Sequence, residues 1–252
     1  MAALAVLLGA CGGPAKPQTL SIAAAADLRF AMEALARDFH ASHPAVEVRP
    51  AYGSSGNFYA QIRNGAPFDL FLSADMDYPR RLASEGVAVR DSVFVYAVGH
   101  IVVWARANSP LDVARLGMRA LQADSVQHIA IANPQHAPYG RAAEAALKSA
   151  GVYDRLAPRL VLGENIAQTL EFVESGAADV GIVALSLALA PAVRDGGKYW
   201  EVPADSYPPV EQSGAILKRA QNPQAARDFR AFLLSPAGAR VLRQYGFSLP
   251  GK

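Results

Sequence analysis

Residues 21–39, SIAAAADLRFAMEALARDF, decide the fold. Residues 21–26 are small and apolar and read as a short buried strand. Asp27 is a residue type favoured at helix N-caps. Leu28, Met32, Leu35 and Phe39 then recur at helical spacing as one apolar stripe. A strand therefore runs straight into a helix N-terminus with almost no loop. The first N–H groups of that helix lack intrahelical partners and, with the positive end of the helix dipole, face whatever lies beyond the strand. That geometry receives anions. One such junction is ordinary in an α/β protein; its weight comes from repetition.

Outward from this stretch, strands and helices alternate. Residues 46–52 read as a strand, and GSSG at 53–56 turns into a helix to about Asn64, closed by Gly65. FDLFLSA at 68–74 is a strand, followed by a helix over 77–85 and Gly86. VFVYAVGHIVVWAR at 93–106 is longer than an ordinary strand. A break at Gly99 marks a strand that passes from one lobe to another. Residues 110–122 read as helical, 128–132 as a strand, and NPQHAPYG at 133–140 as a loop launching a helix over 141–150. A short strand at 160–162 leads to Gly163-Glu164-Asn165, which caps a helix with the stripe Ile166, Leu170, Val173, closed by Gly176. DVGIV at 179–183 is a buried strand, residues 199–202 and 214–217 are strands around a Pro-rich stretch, and helices over 223–234 and 236–245 end the chain.

The bulk properties agree with a globular body. The chain has 252 residues, 52% hydrophobic and 18% charged, enough for one large core or two modest ones. A net charge of +2 argues against nucleic acid or an anionic membrane face as the main partner. One cysteine can make neither an internal disulfide nor a thiolate metal site. It follows an apolar run, MAALAVLLGA, and Leu8-Gly9-Ala10-Cys11 resembles a bacterial lipobox, where a signal peptide is cut before a cysteine that is then lipidated. The run is too short to span a membrane, and its lack of basic residues points to a start upstream of Met1. Residues 12–18, GGPAKPQ, read as a flexible tether, so the folded part should begin near Thr19, outside the cytoplasm.

Alternation of this kind implies α/β sheets with helices on both faces, with binding sites beyond the carboxyl ends of strands. Four junctions qualify: Asp27, Ser54–Ser55, Pro138–Tyr139 and Asn165–Ile166. Two precede the long β run and two follow it. Two lobes, each presenting two helix N-termini to a shared cleft, would surround a small anion with backbone donors.

The order of AAAADL (23–28), YGSSG (52–56), GAPFDLFLSAD (65–75), NPQHAPYG (133–140), GENIAQTL (163–170), SGAADVGIV (175–183) and YGF (245–247) resembles the periplasmic molybdate-binding proteins of molybdate ABC transporters. The resemblance covers about residues 19–247. It implies a two-lobed periplasmic-binding-protein fold, each lobe a mixed sheet flanked by helices, with the ligand cleft between them. The expected division is 1–18 signal, lipobox and tether; 19–98 plus about 205–252 lobe one; 99–204 lobe two. It further implies a monomeric, non-enzymatic protein that delivers molybdate or tungstate to an ABC permease, with no cofactor and no metal beyond the bound molybdate; the lipobox adds a membrane anchor at Cys11, and the small net charge leaves no nucleic acid among the expected partners.

Carried over by motif, the anion contacts are Asp27, where the family has Ser or Thr; Ser55; Tyr139; and the backbone N–H of Ile166. Ala184 stands where some members carry a further tyrosine. Asp27 is the departure. Either its carboxylate caps its own helix, turned from the ligand, which is the preferred reading, or it accepts a hydrogen bond from a protonated oxyanion. Other readings have less support. GSSG is not the G-x-S-x-G elbow of serine hydrolases, so a hydrolase would need His and Asp brought to Ser55 by the fold. A sensor domain shares the same lobes. Asp69 and Asp75 read as strand-end and cap residues, not a metal pair, and His40 and His43 as partners of a helix C-terminus.

Overall fold

The computed structural model describes residues 18–251. In chain order the elements are β1 (Gln18–Ala25), a 3-10 turn (Ala26–Leu28), α1 (Arg29–Ser42), β2 (Val46–Gly53), α2 (Ser55–Arg63), β3 (Leu70–Ser73), α3 (Asp77–Ser84), β4 (Phe94–Gly99) and β5 (Ile101–Arg106). Then come α4 (Val113–Leu116), β6 (Ile129–Ala132), α5 (Pro138–Ser149), α6 (Tyr153–Leu156), β7 (Leu160–Gly163), α7 (Ile166–Ser175), β8 (Val180–Ala184) and α8 (Leu185–Ala188). The last are β9 (Gly197–Glu201), β10 (Val210–Ile216), α9 (Pro223–Leu234) and α10 (Pro236–Gln244).

These strands form two mixed five-stranded sheets, ordered β2-β1-β3-β10-β4 and β7-β6-β8-β5-β9. Both follow one plan. A parallel trio (β2-β1-β3, β7-β6-β8) is extended by two strands joined antiparallel (β10 and β4, β5 and β9). Each parallel strand runs into a helix, so each lobe collects helix N-termini at one sheet edge. The expected break in the long β run falls at His100, between β4 in one sheet and β5 in the other. The chain returns over 202–209, where Val202 N–H bonds to the carbonyl of Ile101 at 3.1 Å.

The predicted apolar stripe of α1 is fully buried: Leu28, Met32, Leu35 and Phe39 have no exposed surface. They pack with Phe229, Leu233, Val241 and Leu242 of α9 and α10 on one face of the first sheet. Phe58, Tyr59, Ile62 and Leu82 of α2 and α3 cover the other. The core of the second lobe also includes Ala25, Ala26 and Ala74 from the first, so the lobes meet on apolar surface.

Several local expectations give way. Gln18, assigned to the tether, is the first residue of β1 and bonds to the carbonyl of Ala45 at 2.8 Å. The helix expected over 110–122 splits at Gly117, whose φ of 55° favours glycine and over which the Trp200 ring packs. Helix α5 starts at Pro138, three residues earlier than read, so Tyr139 sits in its first turn. Asp27 does not cap α1. It lies inside the 3-10 turn, and Leu28 stands at the cap position of α1. Cys11 lies outside the described residues.

Candidate functional site

The four junctions predicted from the sequence converge. Asp27, Ser54, Ser55, Tyr139, Asn165 and Ile166 line one cleft between the lobes. Its cavity volume is about 10 Å³, roughly one water-sized sphere, so anything larger than a water is admitted only if the walls move. A larger groove of about 250 Å³ lies on the first lobe near Phe68 and Arg219, but it gathers no junction.

The capping chemistry leaves a consistent remainder. At α2, the Ser54 hydroxyl accepts from Asn57 N–H at 3.3 Å, and Gly56 N–H goes to the carbonyl of His136 at 2.9 Å. At α7, Asn165 Oδ1 accepts from the N–H groups of Ala167 and Gln168 at 3.0 and 3.1 Å. At α5, Pro138 has no N–H, and those of Gly140 and Arg141 return to Ala137. The N–H groups of Ser55, Tyr139 and Ile166 stand at the first or second helical positions, where no intrahelical carbonyl exists. Three positive helix ends from two lobes thus meet at one point. The Ser55 hydroxyl, buried beside them, accepts from Ala74 N–H at 2.9 Å and keeps its own proton to donate.

Asp27 is buried in the wall of this cleft, 1% exposed. Tyr139 Oη donates to its Oδ2 at 2.9 Å, Gln212 Nε2 donates to Tyr139 Oη at 3.3 Å, and Tyr96 Oη donates to Gln212 Oε1 at 3.2 Å. Ser186 donates to the Asp27 carbonyl at 2.8 Å. Among the described residues, Asp27 Oδ1 has no hydrogen-bond partner. Burial pushes the Asp27 carboxyl up to about 7; Tyr139, the backbone at Asp27 and Leu28, and Gln212 pull the other way. Burial, then Asp27 itself, raises the phenol of Tyr139 well above its ordinary range.

The lobes are also fastened around the cleft. Arg141 of α5 pairs with Asp75, which in turn accepts from Tyr78 N–H at the start of α3. Arg29 pairs with Glu171 at 2.8 Å, and Asn57 Nδ2 donates to Glu164 at 3.0 Å. Asp69, the other carboxylate of the strand that became β3, accepts from the N–H groups of Ser21 and Asn222. Both aspartates are therefore engaged in structure, as read. His43 stacks on Phe39 at 4.2 Å.

A model of bacterial extracellular solute-binding proteins matches residues 20–248. The chain belongs to that family. Among family relatives, the molybdate-binding protein ModA of Rhodobacter capsulatus is 42% identical over 198 residues, 78% of this chain and 75% of the relative. ModA of Azotobacter vinelandii is 36% identical over 247 residues, 98% and 96% of the two chains. The solved periplasmic molybdate-binding protein of Azotobacter vinelandii superposes with a TM-score of 0.86 at 35% identity, covering 92% of this chain and 99% of that one. The likeness extends to the two-lobed fold predicted from the motifs.

Sequence reading found the four junctions but missed Gln212, Tyr96 and Ser186. Gln212 and Tyr96 sit on adjacent strands of the first sheet, 116 residues apart in the chain. The available signal was a polar residue in an otherwise apolar strand, Gln212 in VEQSGAI. In the sequence Gly99 reads only as a break. A Cβ there would lie 2.1 Å from Tyr139 Oη, so the glycine makes room for the phenol.

Proposed function

We propose that the protein binds molybdate between its lobes, outside the cytoplasm, and hands it to an ABC permease; tungstate, of like charge and shape, is included. The observation that carries this is the convergence of three helix N-termini and the Ser55 hydroxyl on one buried cleft, in a chain similar to molybdate-binding proteins. A tetrahedral dianion needs donors in several directions, and preformed N–H and O–H groups supply them without a counter-charge. The proposed contacts are Ser55 and the N–H of Ile166 on two sides, with Asp27 and Tyr139 as a coupled pair on a third.

The proposed lobe limits are 19–98 with about 205–252, and 99–204; the crossings at His100 and over 202–209 support them. Lipidation at Cys11 and a monomeric state complete the reading, the former supported by the lipobox-like sequence alone. One observation favours a second reading, an oxyanion carrying its own proton: the unpartnered Oδ1 of Asp27. Thermal melting decides the main point. Molybdate and tungstate should raise the melting temperature by mass action, and sulfate and phosphate far less. Equal stabilisation by sulfate, or none by any of the four, would refute the assignment.

A further inference from the structure

We propose that Asp27 holds the anion as an acid: the cleft closes over a fully deprotonated tetrahedral oxyanion with one proton, taken from solvent, held between Asp27 Oδ1 and a ligand oxygen. The inference rests on the oxyanion reading above and adds to it a proton stoichiometry and a donor.

Hydrogen-bond direction comes first. In the relay Tyr96–Gln212–Tyr139–Asp27 every proton runs toward Asp27 Oδ2. A phenol has one proton, and Tyr139 gives it to Asp27, leaving none for the ligand. Oδ2 is thereby satisfied as an acceptor. Oδ1 is buried in the cleft wall and has no hydrogen-bond partner among the described residues. A neutral carboxyl with its proton on Oδ1 satisfies both oxygens at once: Oδ2 accepts from Tyr139, and Oδ1–H donates into the cleft.

Charge comes second. The elements packed on the 3-10 turn bring Arg29 and Glu33 (α1), Glu171 and Glu174 (α7) and Tyr52 (β2), all at the surface, and Ser186 (α8). Toward the carboxyl face the phenols of Tyr139, Tyr96 and, farther off, Tyr207, with the amide of Gln212. Among the described residues no cation pairs with Asp27: Arg29 pairs with Glu171, and Arg141 of α5 with Asp75. An ionised Asp27 would meet a dianion with no cationic side chain to offset the repulsion. Protonation removes the conflict, and burial already raises this carboxyl to about 7. When the lobes open and the anion leaves, the proton returns to solvent.

The test is calorimetric titration of the whole protein with molybdate above neutral pH, in buffers of different ionisation enthalpy. The expected result is uptake of one proton per molybdate, with affinity falling about tenfold per pH unit. Asp27→Asn keeps a donor that does not titrate; it should bind with no proton uptake and little pH dependence. Binding by the parent without proton uptake overturns the inference, whatever the variant does. So does equal uptake by parent and variant, which would put the proton on the anion or elsewhere. Failure of the parent to bind molybdate, tungstate, sulfate or phosphate at any pH is a different result: it overturns the oxyanion reading, and this inference with it.

Discussion

The phenol of Tyr139, in the first turn of α5, and the carboxyl of Asp27, in the turn after β1, meet across the two lobes at 2.9 Å, both side chains buried. Each lobe supplies half of a contact that neither satisfies alone, so closure and the state of Asp27 are coupled.

That coupling sets a pH dependence for stability. Asp27 has a folded-state value of about 7 against an ordinary 3.8. The folded protein therefore holds this proton where the unfolded chain has lost it. The stabilisation is full below about pH 4 and is lost as pH rises through about 7, at up to about 1.4 kcal/mol per unit. Other groups titrate over the same range, so the checkable quantity is the difference between parent and Asp27→Asn in ligand-free urea unfolding. The parent should lose stability relative to the variant across that window. Parallel profiles would show that Asp27 titrates normally.

Tyr139→Phe removes the bond to Oδ2 and leaves that oxygen buried without a donor. A buried unsatisfied polar atom costs about 1–3 kcal/mol. Because Tyr139 favours the ionised form of Asp27, its loss should also move the stability decline to higher pH. Unfolding of Tyr139→Phe across pH, set against the parent, reads both effects.

Ser55→Ala should act twice. Loss of a hydroxyl donor to an anion costs about 1.5–3 kcal/mol of binding, the range for bonds to charged groups. Loss of the acceptor for the buried N–H of Ala74 should cost folding stability of about 1–3 kcal/mol even without ligand. A variant that binds as tightly as the parent would reduce Ser55 to a helix-start residue.

Gly56→Ala probes closure without touching the proposed contacts. A Cβ there would sit 2.7 Å from the carbonyl of His136 and 2.7 Å from Tyr78 Oη, where the first lobe docks on the second. Overpacking of this kind costs about 1–3 kcal/mol, and here it falls on the closed form. Molybdate affinity should drop about tenfold or more, and scattering should show a less compact molecule at saturating ligand. Unchanged affinity would mean that closure does not require this contact.

The sequence carried the fold wherever a signal was local. The α1 stripe, the cap at Asn165 and the break near Gly99 each rest on residues within one or two turns of each other, and their spacing survives folding. What was illegible depends on pairs far apart in the chain. Whether Asp27 caps its helix or faces the cleft turns on a 3-10 turn held by Ser186, 159 residues away. Tyr139 reads as a ligand donor until Asp27 is seen to take its proton, and Gln212 has no meaning until β10 is laid beside β4. The split at Gly117 similarly needs Trp200, from a strand on the far side of the second lobe's sequence.

Molybdate binding between the lobes is tested most directly by calorimetric titration of the purified protein with molybdate, with sulfate and phosphate as competitors. One molybdate should bind per chain, displaced by tungstate and scarcely disturbed by excess sulfate or phosphate. Binding of sulfate or phosphate in place of molybdate, or no heat from any of the four anions, would contradict it.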